Sequence, residues 1–464
     1  MSRLSDYNKI LFLIISGFVI FNQSIARENK DYSKENLVGF PKTGYYLPDT
    51  SNVDSCFCDI AKDTWKFFDK AVDSKNGLIT DKIVLNPESV AGYTSVTNIG
   101  LQMMAIISAM DFGFIDSSEA ESKIRHILTI VQMFSTYYNG FLYNWYDLST
   151  LHCAREYISS VDAAWFYSAL KIVSVAFPEL SKQCDQMTEQ VDFGWLYDES
   201  CHHFYLGFDT ENEEFSPYHY GMLCSESRIC LYYGIITGAI QPEFWYYQEQ
   251  TLPLEYDQEQ LPQGDWKTVQ GIRYFDGYYE YNGKKIVPSW GGALFEFFMP
   301  TLFVNELRLS PNGIGKNDCL AAKIHIDYAL NRMNYPVWGM SPSSLPDSRY
   351  GEFGVPEIGG KKGGYKPGII SPHASILTVA CDPEAVFKNL KKMLSKYPVY
   401  GEYGFYDAFD PVSGDVGEIY LALDQAMILI SLDNYLNDSS ISRRFEQIPG
   451  FERVKNLLNE NRMF

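Results

Sequence analysis

The chain has 464 residues and a formal net charge of −20, and 46% of it is hydrophobic. Such a charge disfavours nucleic acid, anionic membrane surfaces and polyanionic substrates, and such a hydrophobic share excludes a disordered or low-complexity chain. Aromatic residues reach 16% (34 Tyr, 30 Phe and 8 Trp), more than a helical core needs; a flat ring with a polar edge suits the face of a sugar, although any single ring is first of all a core residue.

In chain order, Arg3 and Lys9 precede an apolar run over 10–21, and Ser24-Ile25-Ala26 then offers small residues at the positions a signal peptidase reads. Residues 1–26 therefore read as a signal peptide, which makes the mature chain periplasmic or secreted. The apolar run is shorter than the roughly 20 residues a membrane span requires. No stable membrane insertion is expected after cleavage. Residues 27–55 read as an N-terminal extension and 56–464 as one domain, because no Pro/Ser/Gly-rich linker or charge block marks a seam.

Helical periodicity predicts helices over 97–110, 120–138, 160–176, 225–238, 291–307, 319–333, 384–397 and 422–436. Convincing strands are few, as over 273–281, where Asn282-Gly283 marks a hairpin turn. The class is all-α. An aromatic loop ending in Trp/Tyr-Asp recurs ahead of helices that carry an acid near their start: Phe141-Leu-Tyr-Asn-Trp-Tyr-Asp147 before Asp162, Phe193-Gly-Trp-Leu-Tyr-Asp198 before Glu226, and Tyr403-Gly-Phe-Tyr-Asp-Ala-Phe409 before Asp424. If helices pair and these loops gather on one face, they build a cleft lined by rings and carboxylates, as a closed ring of helical hairpins does. An (α/α)-type barrel is the architecture this pattern predicts.

Four acids stand out. Asp162 lies where a helix begins, flanked by Ser159 and Ser160, and reads equally as an N-cap or a site residue. Glu226 stands two residues before Arg228; it is either half of a structural ion pair or a desolvated general acid. Asp407 occupies the most aromatic loop, between Gly401 and Asp410, where the plain alternative is a turn aspartate. Glu296 sits inside Phe295-Glu-Phe-Phe-Met299 and must face a partner or a polar cavity, since an unpaired buried charge is very costly. Glycosidic bond cleavage uses such groups in pairs, one protonated and one ionised.

Other chemistries find less support. Nine cysteines in an exported chain permit disulfides and leave one over. Neither C-x-x-C nor H-E-x-x-H is present, His202-His203 reads as a loop pair, and no metal or cofactor is expected. The glycines around Lys361-Lys362 lack the Gly-Lys-Ser/Thr of a phosphate loop, and no Gly-x-Ser-x-Gly elbow occurs.

The motifs Thr94-Ser-Val-Thr-Asn-Ile-Gly-Leu101, Phe141 to Asp147, Tyr157-Ile-Ser-Ser-Val-Asp162, Ser289-Trp-Gly-Gly-Ala-Leu-Phe-Glu-Phe-Phe-Met-Pro300 and Phe353-Gly-Val-Pro356 resemble, in order, those of the cyclising domain of cyclic β-1,2-glucan synthases. Gly401 to Phe409, with Tyr420-Leu-Ala-Leu-Asp-Gln425, is more similar to the secreted endo-β-1,2-glucanases of glycoside hydrolase family 144. Both lie in the glucoamylase-like superfamily, so the resemblance implies an (α/α)6 barrel with a few short hairpins, a β-linked glucan as partner, and a monomer.

By the same resemblance Asp162, Glu226, Glu296 and Asp407 face the cleft: Glu226 as acid, Asp407 as base or water-positioning group, and Asp162 holding sugar hydroxyls. Trp145, Asp147, Arg228, Trp290, Glu296, Glu352 and Tyr406 are expected to bind substrate. Two departures are visible. Trp338-Gly-Met-Ser-Pro-Ser343 lacks the acid that the cyclising domains carry, with Glu352 following a few residues later, and Asp424-Gln-Ala-Met replaces the Asp-Gln-Gly-Pro of the glucanases. The expectation is an endo-acting glycoside hydrolase; a glycan-binding or envelope-assembly protein without the acid pair, and a cyclising transglycosylase, are the alternatives.

Overall fold

The structure, a computed structural model, describes residues 32–42, 47–134 and 137–463. The expected signal peptide lies outside them. Its helices in chain order are α1 (Val53–Lys70), α2 (Val96–Asp111), α3 (Ser117–Val131), α4 (Ser160–Ala176), α5 (Ser181–Thr188), α6 (Arg228–Thr237), α7 (Leu294–Phe298), α8 (Glu306–Leu309), α9 (Ile314–Asp327), α10 (Pro372–Ile376), α11 (Pro383–Lys396), α12 (Ala422–Leu436), α13 (Ser440–Glu446) and α14 (Phe451–Glu460).

Two kinds of helix are present, and their sequences say which is which. Helices α2, α4 and α12 are buried on nearly every face, the mark of a helix surrounded by others. Helix α1 buries one stripe, Phe57, Ile60, Ala61, Thr64 and Phe68, at the three- and four-residue spacing of an outer helix, and α11 and α14 do the same.

The buried helices form a circuit: α2 packs on α4, α4 on α6, α7 on α10, α10 on α12, and α12 back on α2. Between α6 and α7 the link is polar, with Arg228 Nη2 donating to the Phe297 carbonyl at 2.8 Å. Outside it, α1 lies on α12, α3 on α2, α5 on α4, α14 on α6, α9 on α7 and α11 on α10.

Helix dominates as expected, and the short hairpins expected in the loops are more numerous than the few foreseen, with many short antiparallel strands between the helices. Three of them run directly into buried helices. Tyr93–Ser95 pairs with Trp145–Asp147 and leads into α2, Tyr157–Ser159 pairs with Gly207–Asp209 and leads into α4, and Ile419–Leu421 pairs with Lys82–Leu85 and leads into α12. Strands of two to four residues give too short an alternation for sequence pattern to reveal. The longest hairpin pairs Gln263–Val269 with Ile272–Tyr281, and the turn at Asn282 and Gly283, with φ of 48° and 73°, leads back through Lys284–Ile286; two residues at positive φ suit the right-handed twist of the flanking strands.

Some helix bounds also differ. The helix expected over 291–307 is broken into α7, a 3-10 turn Met299–Leu302 and α8, because Pro300 supplies no backbone N–H and blocks a continuous helix. The one expected over 120–138 ends at Val131, and that over 319–333 starts at Ile314 and passes into a π-turn, Tyr328–Arg332. Cys319 of α9 and Cys381, after α10, form a disulfide. Among the described residues no helix is long and apolar enough to cross a membrane.

Candidate active site

The N-termini of the buried helices open onto one cleft of about 550 Å³. The third residue of four of them lines it: Asn98 in α2, Asp162 in α4, Glu296 in α7 and Asp424 in α12. An acid at that position meets the free N–H groups and the positive end of the helix dipole. Glu226, just before α6, joins them, as do Asp81, Glu249 and Glu352 from loops. Rings of Trp145, Tyr220, Tyr256, Trp290, Tyr350 and Tyr365 make up much of the wall.

One group of acids gathers around Glu226. Asp162 accepts hydrogen bonds from Thr97 Oγ1 and Ser159 Oγ, both at 2.5 Å. Glu296 accepts from Ser289 Oγ at 2.7 Å and from the N–H groups of Gly291 and Ala293, each at 2.9 Å. Glu226 itself accepts from Ser225 Oγ at 2.9 Å. Burial pushes all three carboxyls up, Glu296 to about 8, with the Glu226 charge adding to Glu296 and the Asp162 charge adding to Glu226. Carboxyls that raise one another in a desolvated cleft favour the protonated state of at least one member, which is what a general acid requires.

The second group centres on Asp424. Its carboxyl is pushed well above the ordinary range by burial and by the charge of Asp407 beside it. Asp407 Oδ2 accepts the Ser344 N–H at 2.5 Å, and His373 Nδ1 lies 3.4 Å from Asp424 Oδ2 and 3.8 Å from Asp407 Oδ1. Asp81 stands next to Asp424, because its carbonyl accepts the Ala422 N–H at 2.9 Å and its carboxylate accepts from Asn98 Nδ2 at 2.8 Å. Burial raises Asp81 and Glu352 as well, and Glu249 to about 7.

Of the residues expected at the site, Asp162, Glu226, Glu296, Trp145, Trp290 and Glu352 line the cleft. Four others are placed elsewhere. Asp407 is 2% exposed and lies behind Asp424. Arg228 is fully buried and donates to Glu306 through Nε and Nη2, each at 2.8 Å, so its hydrogen bonds go to the interior, and it reaches Glu226 only through its charge, which pulls that carboxyl down against burial. Asp147 caps its own turn, accepting from the N–H groups of Ser149 and Thr150. Tyr406 is packed against Tyr420 with ring centres 5.1 Å apart. Residues not anticipated include Asp81, His373, Tyr350, Tyr365 and above all Asp424. For Asp424 the signal was present in the recurring loop-then-acid pattern, which ends on it.

Among the described residues two triples of donor atoms come within 4.8 Å of one another, those of Asp198, Cys201 and His219 and those of His373, Asp407 and Asp424. In the first, His219 Nε2 already contacts Asp198 Oδ2 at 2.9 Å. In the second, burial and the charge of Asp407 raise the Asp424 carboxyl, which favours its protonated form.

Residues 260–449 match the family described as "Putative glucoamylase", and residues 59–203 match one described only as a protein of unknown function. The chain is 24% identical over 314 residues to the cyclic β-(1,2)-glucan synthase NdvB of Rhizobium meliloti, a match covering 64% of this chain and 10% of that one. It is 20% identical over 436 residues to an exo β-1,2-glucooligosaccharide sophorohydrolase of Parabacteroides distasonis, covering 88% of this chain and 57% of that one. The solved endo-β-1,2-glucanase of Chitinophaga pinensis, in complex with sophorotriose and glucose, superposes with a TM-score of 0.68 at 17% identity over 88% of this chain and 98% of that one.

Proposed function

We propose that the chain is an exported glycoside hydrolase acting on a β-linked glucan, with β-1,2-glucan the best-supported substrate, and that its helices form an (α/α)6 toroid. The observation that carries this reading is the meeting of two groups of acids at one ring-lined cleft, Glu226 with Asp162 and Glu296, and Asp424 with Asp407 behind it. The relatives named above, which act on or make β-1,2-glucans, support the linkage.

In this reading Glu226 is the general acid. Asp162 and Glu296 have carboxylate oxygens tied up by hydroxyl and backbone donors, whereas the one side chain that donates to Glu226 among the described residues is Ser225. Asp162 and Glu296 then hold sugar hydroxyls, and the Asp162 charge helps to keep Glu226 protonated. Asp424 meets the attacking water, and Asp407 behind it is the final proton acceptor. No step requires a cofactor.

The test is incubation of the mature protein with linear β-1,2-glucan, reading new reducing ends and product size. New ends with a spread of products support an endo-hydrolase. Cyclic products with no gain in ends would instead make it a transglycosylase, and binding without turnover across a wide glucan panel would leave a glycan-binding protein.

A further inference from the structure

His373 is the second residue of α10 and is 1% exposed. It belongs to none of the motifs above, yet it points its Nδ1 at both members of the carboxyl pair under the cleft. Both of its ring nitrogens, Asp407 Oδ1 and Asp424 Oδ2 have no hydrogen-bond partner among the described residues. Buried polar atoms without partners are rare and costly, and here several of them converge. Separations of 3.4 and 3.8 Å are long for hydrogen bonds, as catalytic contacts often are before substrate tightens them.

We propose that His373 is a positioning residue, whose Nδ1–H donates to the Asp407–Asp424 pair and holds its single negative charge in place for the attack of water. The kinetic side of this inference rests on the hydrolase reading of the cleft. Burial pushes the imidazole down to about 4, so it is neutral and carries one N–H to give. Two buried carboxyls in contact hold one proton and one charge between them. Beyond them, Asp81 faces Asp424 from the segment before Lys82–Leu85, and Tyr350 faces both acids from its loop. Neither is a cation; the Ser344 N–H already donates to Asp407 Oδ2, and the His373 N–H is the further donor, placed toward Asp407 Oδ1 and Asp424 Oδ2 to favour the charged pair.

The proton inventory closes. An O–H bond of the attacking water breaks, its proton passes to Asp424, and the proton already on Asp424 moves to Asp407. The hydroxyl adds to the anomeric carbon as the glycosidic bond breaks, and Glu226 gives its proton to the leaving oxygen. Afterwards the pair releases one proton to solvent and Glu226 takes one up.

A donor to the charged form lowers the pair's affinity for protons, so its removal moves the acid limb of the pH–rate profile upward. His373→Leu is expected to shift that limb by about 1 pH unit, as loss of a hydrogen bond to a charged group does, and to lower kcat with little change in KM. His373→Asn returns an N–H close to the position of Nδ1 and is expected to restore the limb. An unmoved limb in His373→Leu, or equal displacement in both variants, overturns the proposal. So does loss of activity on chelation with recovery on added zinc, which would put a cation among the three side chains.

A second arm needs no turnover. In protein labelled with 15N-histidine, the His373 signal, assigned by its disappearance in His373→Asn, is expected to report a neutral Nδ1–H ring from about pH 5 to 8 and to move in Asp424→Asn. An Nε2–H tautomer, an imidazolium at pH 6 or indifference to Asp424→Asn overturns the assignment even if no glucan is cleaved. Absence of new reducing ends in the wild type, with the expected spectrum, would count against the hydrolase reading alone.

Discussion

Arg228 pairs with Glu306 through two hydrogen bonds of 2.8 Å, with both side chains 0% exposed, and leaves Glu226, two residues before it, without an ionic partner among the described residues. Tyr232 also donates to Glu306, and Arg228 reaches the carbonyls of Leu223 and Phe297. The guanidinium thus ties the start of α6 to α7 and α8 and fixes the backbone that presents Glu226. Removing one partner of such a pair strands the other charge. Glu306→Ala is expected to cost about 3–5 kcal/mol of stability, read by urea unfolding, while Arg228→Lys, which cannot make the planar fork, loses less. A melt within 0.5 kcal/mol of wild type for Glu306→Ala would show that the pair does not hold these helices.

Glu226 keeps its proton above the ordinary carboxyl range because burial outweighs its own backbone N–H, the Ser225 bond and the Arg228 charge, all of which pull the other way. Glu226→Gln preserves shape and hydrogen bonding but cannot donate that proton. Its kcat on glucan is expected to fall about 10²–10⁴-fold, the usual worth of a general acid, with an unchanged melting temperature. Turnover near that of the wild type would assign the acid to another carboxyl, with Glu296 the next in line.

Glu296 connects stability to pH. Its folded value, about 8, lies above the unfolded one near 4.5, so the native state holds a proton that the unfolded state gives up. The stability that proton contributes is fully present below about pH 4.5 and is lost as pH rises through 8. The stability difference between wild type and Glu296→Gln, measured by denaturant melts across this range, should therefore move in favour of the glutamine variant as pH rises. A difference that is flat from pH 5 to 8, or slopes the other way, would place a carboxylate there at neutral pH.

The sequence carried the buried helices well, because Ser160–Ala176 and Ala422–Leu436 are long and their apolar positions leave no strand-like alternative. It also carried three of the four acids singled out, Asp162, Glu226 and Glu296, to the cleft. The misses have physical causes. Arg228 looked like a neighbour of Glu226, but its partner is 78 residues away, and sequence distance says nothing about such a pair. Asp407 and Asp424 are adjacent in space, and only burial order separates the one that lines the cleft from the one behind it. His373 sits in a five-residue helix, too short for periodicity to register. Helix α1 buries a clear stripe, but the charged residues interleaved through Val53–Lys70 mask its periodicity in the sequence.

Trp290 offers a separate test of the cleft as a sugar site. It lines the wall beside Glu296, and its buried Nε1–H has no partner among the described residues. An indole N–H normally finds an acceptor when buried, and a sugar hydroxyl would supply one while the ring covers the apolar sugar face. Trp290→Phe keeps a ring and removes the donor; Trp290→Ala removes both. If both contributions act in binding, KM for β-1,2-glucooligosaccharides rises in the order wild type, Phe, Ala. The Phe step should be about 3–10-fold, corresponding to a neutral hydrogen bond of about 0.5–1.5 kcal/mol, and kcat should change less than KM. Equal KM values for wild type and Trp290→Phe would mean that the indole N–H is not directed at substrate, and an unchanged KM in Trp290→Ala would remove this wall from the binding surface altogether.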